Sequence, residues 1–172
     1  MTSKNTIGTE AYTWWAWLHN TDIGAARAAR AKLRRCGSVT DALAQPATHD
    51  LYAKLMASGY DLRARPEVLG GLAMVLAHVA TSSFALAKRM GQGDPPPVSA
   101  ARFEQVIRAK DQAELAVVLR RLMPLVDHSC DVGALARDIF YWTDQTRQSW
   151  CFQYYGADPF AAAEQDKDAQ DV

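Results

Sequence analysis

Apolar residues recur along this chain at spacings of three and four, and no clean period-two run is bounded by turn residues, which predicts an all-α protein. In DQAELAVVLRRLM, Leu115, Val118, Leu119, Leu122 and Met123 form a full amphipathic stripe. Asp111 with Glu114 forms a capping box at its start, and Pro124 ends or kinks it. Ser99 caps SAARFEQVIRAK, which turns Phe103, Val106 and Ile107 inward. In DVGALARDIFYW the core positions are Val132, Leu135, Ala136, Ile139 and Phe140. Thr143 caps a last helix with Trp150, Cys151 and Tyr154 on one face, closed by Gly156. Earlier in the chain, Thr9 is predicted to cap TEAYTWWAWLHN, where Trp14, Trp17 and Leu18 share one face and Tyr12 and Trp15 another. That helix is either central and buried on several sides, or it exposes Trp15 or Tyr12 for base stacking or a subunit contact. Ser38 and Asp41 start a short helical turn, and Pro46 opens a helix to Ala57 with Leu51, Leu55 and Met56 as its buried stripe. Residues 58–65 form a loop carrying Arg63 and Arg65. PEVLGGLAMVLAHVA then begins a strongly apolar helix in which Gly70 and Gly71 permit close packing. Ser83 is a cap candidate for the segment ending at Gly91.

These elements predict a compact bundle of about eight to nine helices in one domain over residues 1–157. An N-terminal half (about 9–90) and a C-terminal half (about 99–157) are joined by the Pro/Gly-rich linker 91–98. A chain of 172 residues can bury a proper core without metal or disulfide staples. Cys36, Cys130 and Cys151 are odd in number and lack CxxC spacing, so they read as reduced thiols of a cytoplasmic protein. No signal peptide or membrane-spanning apolar run is visible. Residues 158–172 form an acidic tail, predicted to be disordered.

Charge changes the picture more than composition does. Without residues 157–172, the 19 basic and 19 acidic residues of the chain become 18 and 14, so the body is basic. Arginine outnumbers lysine 13 to 6, favouring bidentate contacts to phosphate or carboxylate. The densest stretch is Gly24 to Gly37, GAARAARAKLRRCG, with no acid between Asp22 and Asp41. On a helix, Arg27, Arg30 and Arg34 fall within about 60° of one another, opposite Ala26, Ala29 and Leu33. A basic stripe is often no more than a solvated helix face. Here the glutamates that usually precede Lys or Arg by four residues are absent, which favours a row of phosphates as partner.

The sequence carries no phosphate-binding glycine loop, HExxH or nucleophile elbow. His128 and Cys130 lack a second pair to complete a zinc site. Asp131, Asp138 and Asp144 fit caps and a solvated face better than a two-metal centre. His78 reads as a hydrogen-bonded core histidine. No enzyme, metal or cofactor is expected.

The order of segments resembles a known family. WWAWL precedes the arginine-rich helix, and AKLRRCGSVTDALAQPATHDLYAKL pairs arginines with an acidic-leucine turn and an aromatic-leucine helix. VSAARFEQVIRAKDQAELAVVLRRLM and ALARDIFYW follow, leading into the terminal Trp-Tyr helix. Over about residues 11–156 this set resembles the small subunit of the type I-E CRISPR surveillance complex Cascade, the CasB family. The resemblance implies an α-helical, non-catalytic nucleic-acid binder, present in two copies beside the other Cascade subunits. It would stabilise the guide RNA–target DNA duplex and the displaced single-stranded DNA of the R-loop. By position it points to Arg34, Arg35, Arg65, Arg102, Arg108, Arg120, Arg121 and Arg147 as nucleic-acid contacts, beside Arg27 and Arg30 of the stripe. Where Leu86 stands the family often carries an arginine, and Lys88 and Arg89 are candidates to replace it. Two other classes stay open. A stand-alone DNA or RNA binder would show Asn or Gln base readers, which the basic helix lacks. A protein–protein adaptor would use the aromatic first helix.

Overall fold

The computed structural model describes residues 5–156, so the acidic tail 158–172 lies outside the described residues. Among the described residues the chain forms ten α-helices, a 3₁₀ turn and a two-stranded ladder, and the fold is all-α as predicted. The helix number is slightly higher than expected because short segments that read as turns, such as 39–43, are helices of their own.

Helix α1 (Ile7–Leu18) begins earlier than predicted: Thr6, not Thr9, is the N-cap, accepting from the Thr9 backbone N–H at 3.1 Å. The Thr9 hydroxyl lies 2.9 Å from that of Thr6 and serves the same cap. Both Trp14 and Trp15 are buried, and each indole N–H has a distant carbonyl, Ala47 O at 2.9 Å and Val79 O at 2.7 Å. An indole donor left without a partner in a core is costly, so these two bonds fix α1 against the chain at Ala47 and at Val79. Tyr12 stays 46% exposed.

Helix α2 (Gly24–Arg35) is followed by α3 (Val39–Leu43) and α4 (Pro46–Ala57). Leu51 and Leu55 of α4 are buried as expected, whereas Met56 is exposed because it falls outside that stripe. Helix α5 (Pro66–Leu76) is the centre of the molecule: every residue from Val68 to Leu76 is buried. It is shorter than the apolar run suggested, its C-cap being Ala77. A Cβ on Gly70 would lie 2.7 Å from the Val39 carbonyl oxygen, and one on Gly71 would lie 3.4 Å from Ala116 Cβ. The glycine pair therefore seats α3 on one side and α8 (Gln112–Leu122) on the other.

After α5 the sequence reading of Ser83 as a helix cap is corrected. Thr81–Ser82 (β1) pairs in parallel with Ser129–Cys130 (β2), and Ser83 bonds the β2 end, its hydroxyl 2.6 Å from that of Ser129. Helix α6 starts only at Leu86 and ends at Gly91, where an added Cβ would run into the Tyr154 carbonyl of α10 (Asp144–Tyr154). Between them lie α7 (Ala100–Ile107), α8, the 3₁₀ turn Met123–Val126 and α9 (Val132–Phe140). Caps at Ser38, Ser99, Asp111, Asp131 and Thr143 each accept a backbone N–H three residues on. One apolar core joins residues from both sides of the 91–98 segment, Trp14, Leu51 and Leu72 with Leu115, Val132 and Trp150 among them. The Tyr154 hydroxyl donates to Val98 O at 2.6 Å and its ring stacks on Phe103, anchoring the segment to α10 and α7. No helix among the described residues is long and apolar enough to cross a membrane.

Candidate nucleic-acid interface

Helix α2 lies at the edge of the fold. Ala26 and Leu33 are its buried residues, as the pattern predicted, and pack it against α1 and α5. Arg27, Arg34, Arg35 and Lys32 are exposed and Arg30 is half-buried. None of these side chains has an ion-pair partner among the described residues, where the carboxylate–arginine pairs are at Asp61, Glu104, Asp138 and Asp144. The helix has no acid in its first turn, and Lys32, Arg34 and Arg35 occupy its last, where the carbonyl end of the dipole favours cations.

That carbonyl end is also where a second arginine source arrives. Arg120 of α8 donates from Nη1 to the Cys36 carbonyl, the first residue past α2. The Cys36 thiol donates to Lys32 O at 3.3 Å, and the Cys36 N–H to Leu33 O at 3.1 Å. Orphan carbonyls at a helix end need such partners. The bond holds Arg120, 84 residues away in sequence, against the arginines of α2. Burial and the charges of Arg34 and Arg120 beside it push the His78 imidazole down to about 4, His128 adding to the effect. His19 is lowered too, by burial first and then by Arg30 and Arg34, against the pull of the Trp15 carbonyl. Both rings therefore lie within electrostatic reach of these arginines. Sequence reasoning treated His78 as a core residue and did not single out His19, because nothing in their local spacing points to α2. His78 is half-buried, and its Nε2 has no hydrogen-bond partner.

The other predicted residues fall into separate groups. Arg102 of α7 and Arg121 of α8 share a groove of about 350 Å³ with Gln105 and Leu125. Arg108 is exposed and pairs with Glu104 at 2.8 Å. Lys88 stands on the rim of a larger hollow of about 710 Å³ between the 91–98 segment and the end of α10, beside Gln153 and Tyr155. Three arginines are tied into the fold. Arg65 donates to Phe140 O at 2.7 Å with its guanidinium 4.7 Å from the Phe140 ring centroid. Arg89 donates to Val126 O at 3.2 Å. Arg147 pairs with Asp144 at 3.2 Å and lies over Trp142.

Among the described residues no group of three or more His, Cys, Asp or Glu side chains is placed to hold a metal ion. Asp131 and Asp144 are at helix starts, as read. Asp138, read as part of a solvated face, instead accepts the Trp150 indole N–H at 2.8 Å. Burial raises its carboxyl above the usual range. Burial likewise pushes the Cys130 thiol up to about 12, so it stays protonated and unreactive.

The model of the family CRISPR-associated protein Cse2 matches residues 29–155. No curated protein matches the chain. A chain of the crystal structure of E. coli Cascade bound to a PAM-containing dsDNA target is similar in fold, with a TM-score of 0.66 and 19% identity over 85% of this chain and 94% of that one. CasB from Thermus thermophilus superposes with a TM-score of 0.62 and 25% identity over 86% of this chain and 98% of its own. The matched region runs from within α2 to the end of α10, and with it the chain belongs to the CRISPR-associated protein Cse2 family.

Proposed function

We propose that this chain is a non-catalytic nucleic-acid-binding subunit of a type I-E Cascade assembly in the cytoplasm, working with the other Cascade subunits and a second copy of itself. It grips phosphate backbones without reading bases, stabilising the guide RNA–target DNA duplex and the displaced strand of the R-loop. The observation that carries this reading is the junction of α2 and α8, where Arg120 is bonded to the Cys36 carbonyl that ends α2, directly after Arg34 and Arg35. A rigid row of guanidiniums with no interleaved carboxylate offers planar donor forks at one-turn spacing and no base-edge reader. R-loop formation exchanges one duplex for another of similar stability, so a few phosphate contacts can tip the balance on any sequence. Family membership and the likeness to a chain of E. coli Cascade bound to a dsDNA target support the reading. Arg27 and Arg35 extend the row along α2, and the Arg102–Arg121 groove with Arg108 offers a second strip of positive surface. Exposed aromatic side chains, Phe84, Phe152 and Tyr155, supply apolar surface for neighbouring subunits.

Titrating the full chain with two oligonucleotides of equal length and unrelated sequence should give affinities within a few fold of each other. A ratio approaching the ~10³ typical of specific sites would overturn the reading. The same samples with Mg²⁺ or Mn²⁺ should show no cleavage that tracks with the purified chain.

A further inference from the structure

The pair α7 and α8 builds a groove whose chemistry differs from that of the α2 row. Phe103 and Val106 turn α7 inward, which leaves Arg102 and Gln105, one turn apart, exposed along its outer edge. On α8, Val118, Arg121 and Leu122 fall on one face at spacings of three and four, and the 3₁₀ turn that follows adds Leu125. These six residues line one groove of about 350 Å³. Its apolar members are held by the fold: Leu122 is buried, and Val118 and Leu125 are half-buried against the core. Its arginines are uncommitted. Neither Arg102 nor Arg121 has an ion-pair partner among the described residues, whereas Arg108, just past the end of α7, holds Glu104 at 2.8 Å.

An apolar floor edged by two guanidiniums fits a ligand that is flat and apolar on its faces and anionic at one end. A phosphate alone would leave the floor wet. A nucleotide covers both: guanidinium planes stack on a base, and their donors take its phosphate. The groove is near the low end of the about 300–1,000 Å³ of small-ligand pockets, a size for one ring system. We infer that the α7–α8 groove takes up one unstacked base of a single strand, with Arg102 and Arg121 against the base and its phosphate and the apolar residues beneath. This rests on the phosphate-binding reading and divides it. A duplex keeps its bases paired and stacked, and extruding one costs energy that a single strand need not spend. The α2 row, which meets only backbone, serves both forms, and the groove adds affinity for the single strand. Gln105 carries a donor and an acceptor on one amide, so it accommodates any base edge, and a base held by its face is held without sequence preference.

The test titrates the full chain with a short single-stranded DNA oligonucleotide and with an abasic strand of the same length, which keeps the phosphates and lacks the bases. The abasic strand should bind about five- to twentyfold more weakly. Arg102→Lys combined with Arg121→Lys keeps both charges and removes both guanidinium planes, so it should bring that ratio close to one while the salt slope stays within error of the parent. Both side chains are exposed, so the substitution leaves the core alone, and a thermal melt checks the fold. Should the variant melt early, a 2-aminopurine base in the oligonucleotide gives a second reading on the unaltered chain, since its fluorescence should rise as the base leaves its stacked neighbours. Equal binding of the two strands would overturn the base site, keep phosphate binding, and leave the groove to a carboxylate of a neighbouring chain. A ratio that survives the lysine variant, or 2-aminopurine fluorescence unmoved by the protein, would overturn it as well. Absence of binding to either strand, or binding indifferent to salt, would remove the phosphate reading and the inference with it.

Discussion

Two sets of arginines in this small fold use the same side chain for different ends. Arg27, Arg30, Arg34 and Arg35 stand on one helix with no carboxylate partner among the described residues. Arg65, Arg89 and Arg147 reach back to the fold, the first two to the carbonyls of Phe140 and Val126 and the third to Asp144 and Trp142. A guanidinium offers five donors in a plane. Where a nearby carbonyl or ring accepts them, the side chain staples two elements together. Where the surface offers nothing, those donors and the charge stay available to an outside anion. Arg120 belongs to both sets, since one of its donors closes the end of α2 while no carboxylate pairs with it among the described residues.

This contrast breaks most visibly in binding. Changing Arg34 and Arg35 together to Ala should lower the salt slope of duplex-DNA binding by about 1.8, which at ~0.1 M salt corresponds to roughly fiftyfold weaker binding. Thermal stability should hardly change, because both side chains are exposed and alanine is the better helix former. Salt slopes measured by anisotropy decide it. If the double variant keeps the parental slope, α2 is an ordinary surface helix and the binding strip lies around Arg108 and Arg121. Arg63→Ala serves as the control, since Arg63 is exposed and held by Asp61 at 2.7 Å.

The second set should respond the other way round. Arg65→Ala removes a charged hydrogen bond to Phe140 O and a cation–π contact to its ring, which together should cost about 1–2 kcal/mol of stability. The salt slope should stay within error of the parent. Denaturant unfolding followed alongside anisotropy separates the two effects, and a stable variant with a reduced slope would move Arg65 into the binding set.

How far the sequence foretold this division depends on how local each cause is. Caps at Ser38, Ser99, Asp111 and Thr143 were readable because donor and acceptor lie three residues apart. The start of α1 was misplaced because Thr6 and Thr9 are both competent caps, and only the backbone decides between them. The buried face of α2 was readable from Ala26 and Leu33, and so was its exposed arginine row. The commitment of Arg65 was not, since its partner Phe140 lies 75 residues away. The ladder of Thr81–Ser82 with Ser129–Cys130 is two residues long and leaves no periodic trace. The same distance hid His19 and His78, which feel the charge of the arginines only after α1, α2, α5 and α8 have packed.

The smallest expected effect tests a buried acid on the stapled side of the molecule. Asp138 accepts the Trp150 indole N–H at 2.8 Å, and Arg137 approaches it at 3.6 Å, yet burial dominates and raises its carboxyl above the usual range. The sign follows from linkage. An acid whose native pKa exceeds its unfolded value binds protons more readily in the native state, so stability rises as pH falls through the native value and levels off below the unfolded one. At neutral pH the ionised form therefore carries a net cost. Asp138→Asn keeps the oxygen that Trp150 needs and removes the charge, so at pH about 7 it should be neutral to stabilising, by about 1 kcal/mol or less. The difference from the parent should shrink as pH falls through the raised value of the carboxyl, below which the parent is itself protonated. Asp138→Ala gives the contrast, because it leaves the indole donor of a fully buried tryptophan without a partner and should destabilise at every pH. If Asn costs as much as Ala at neutral pH, the charge on Asp138 contributes to the fold through Arg137, and this side of the molecule depends on an ion pair rather than on the indole bond.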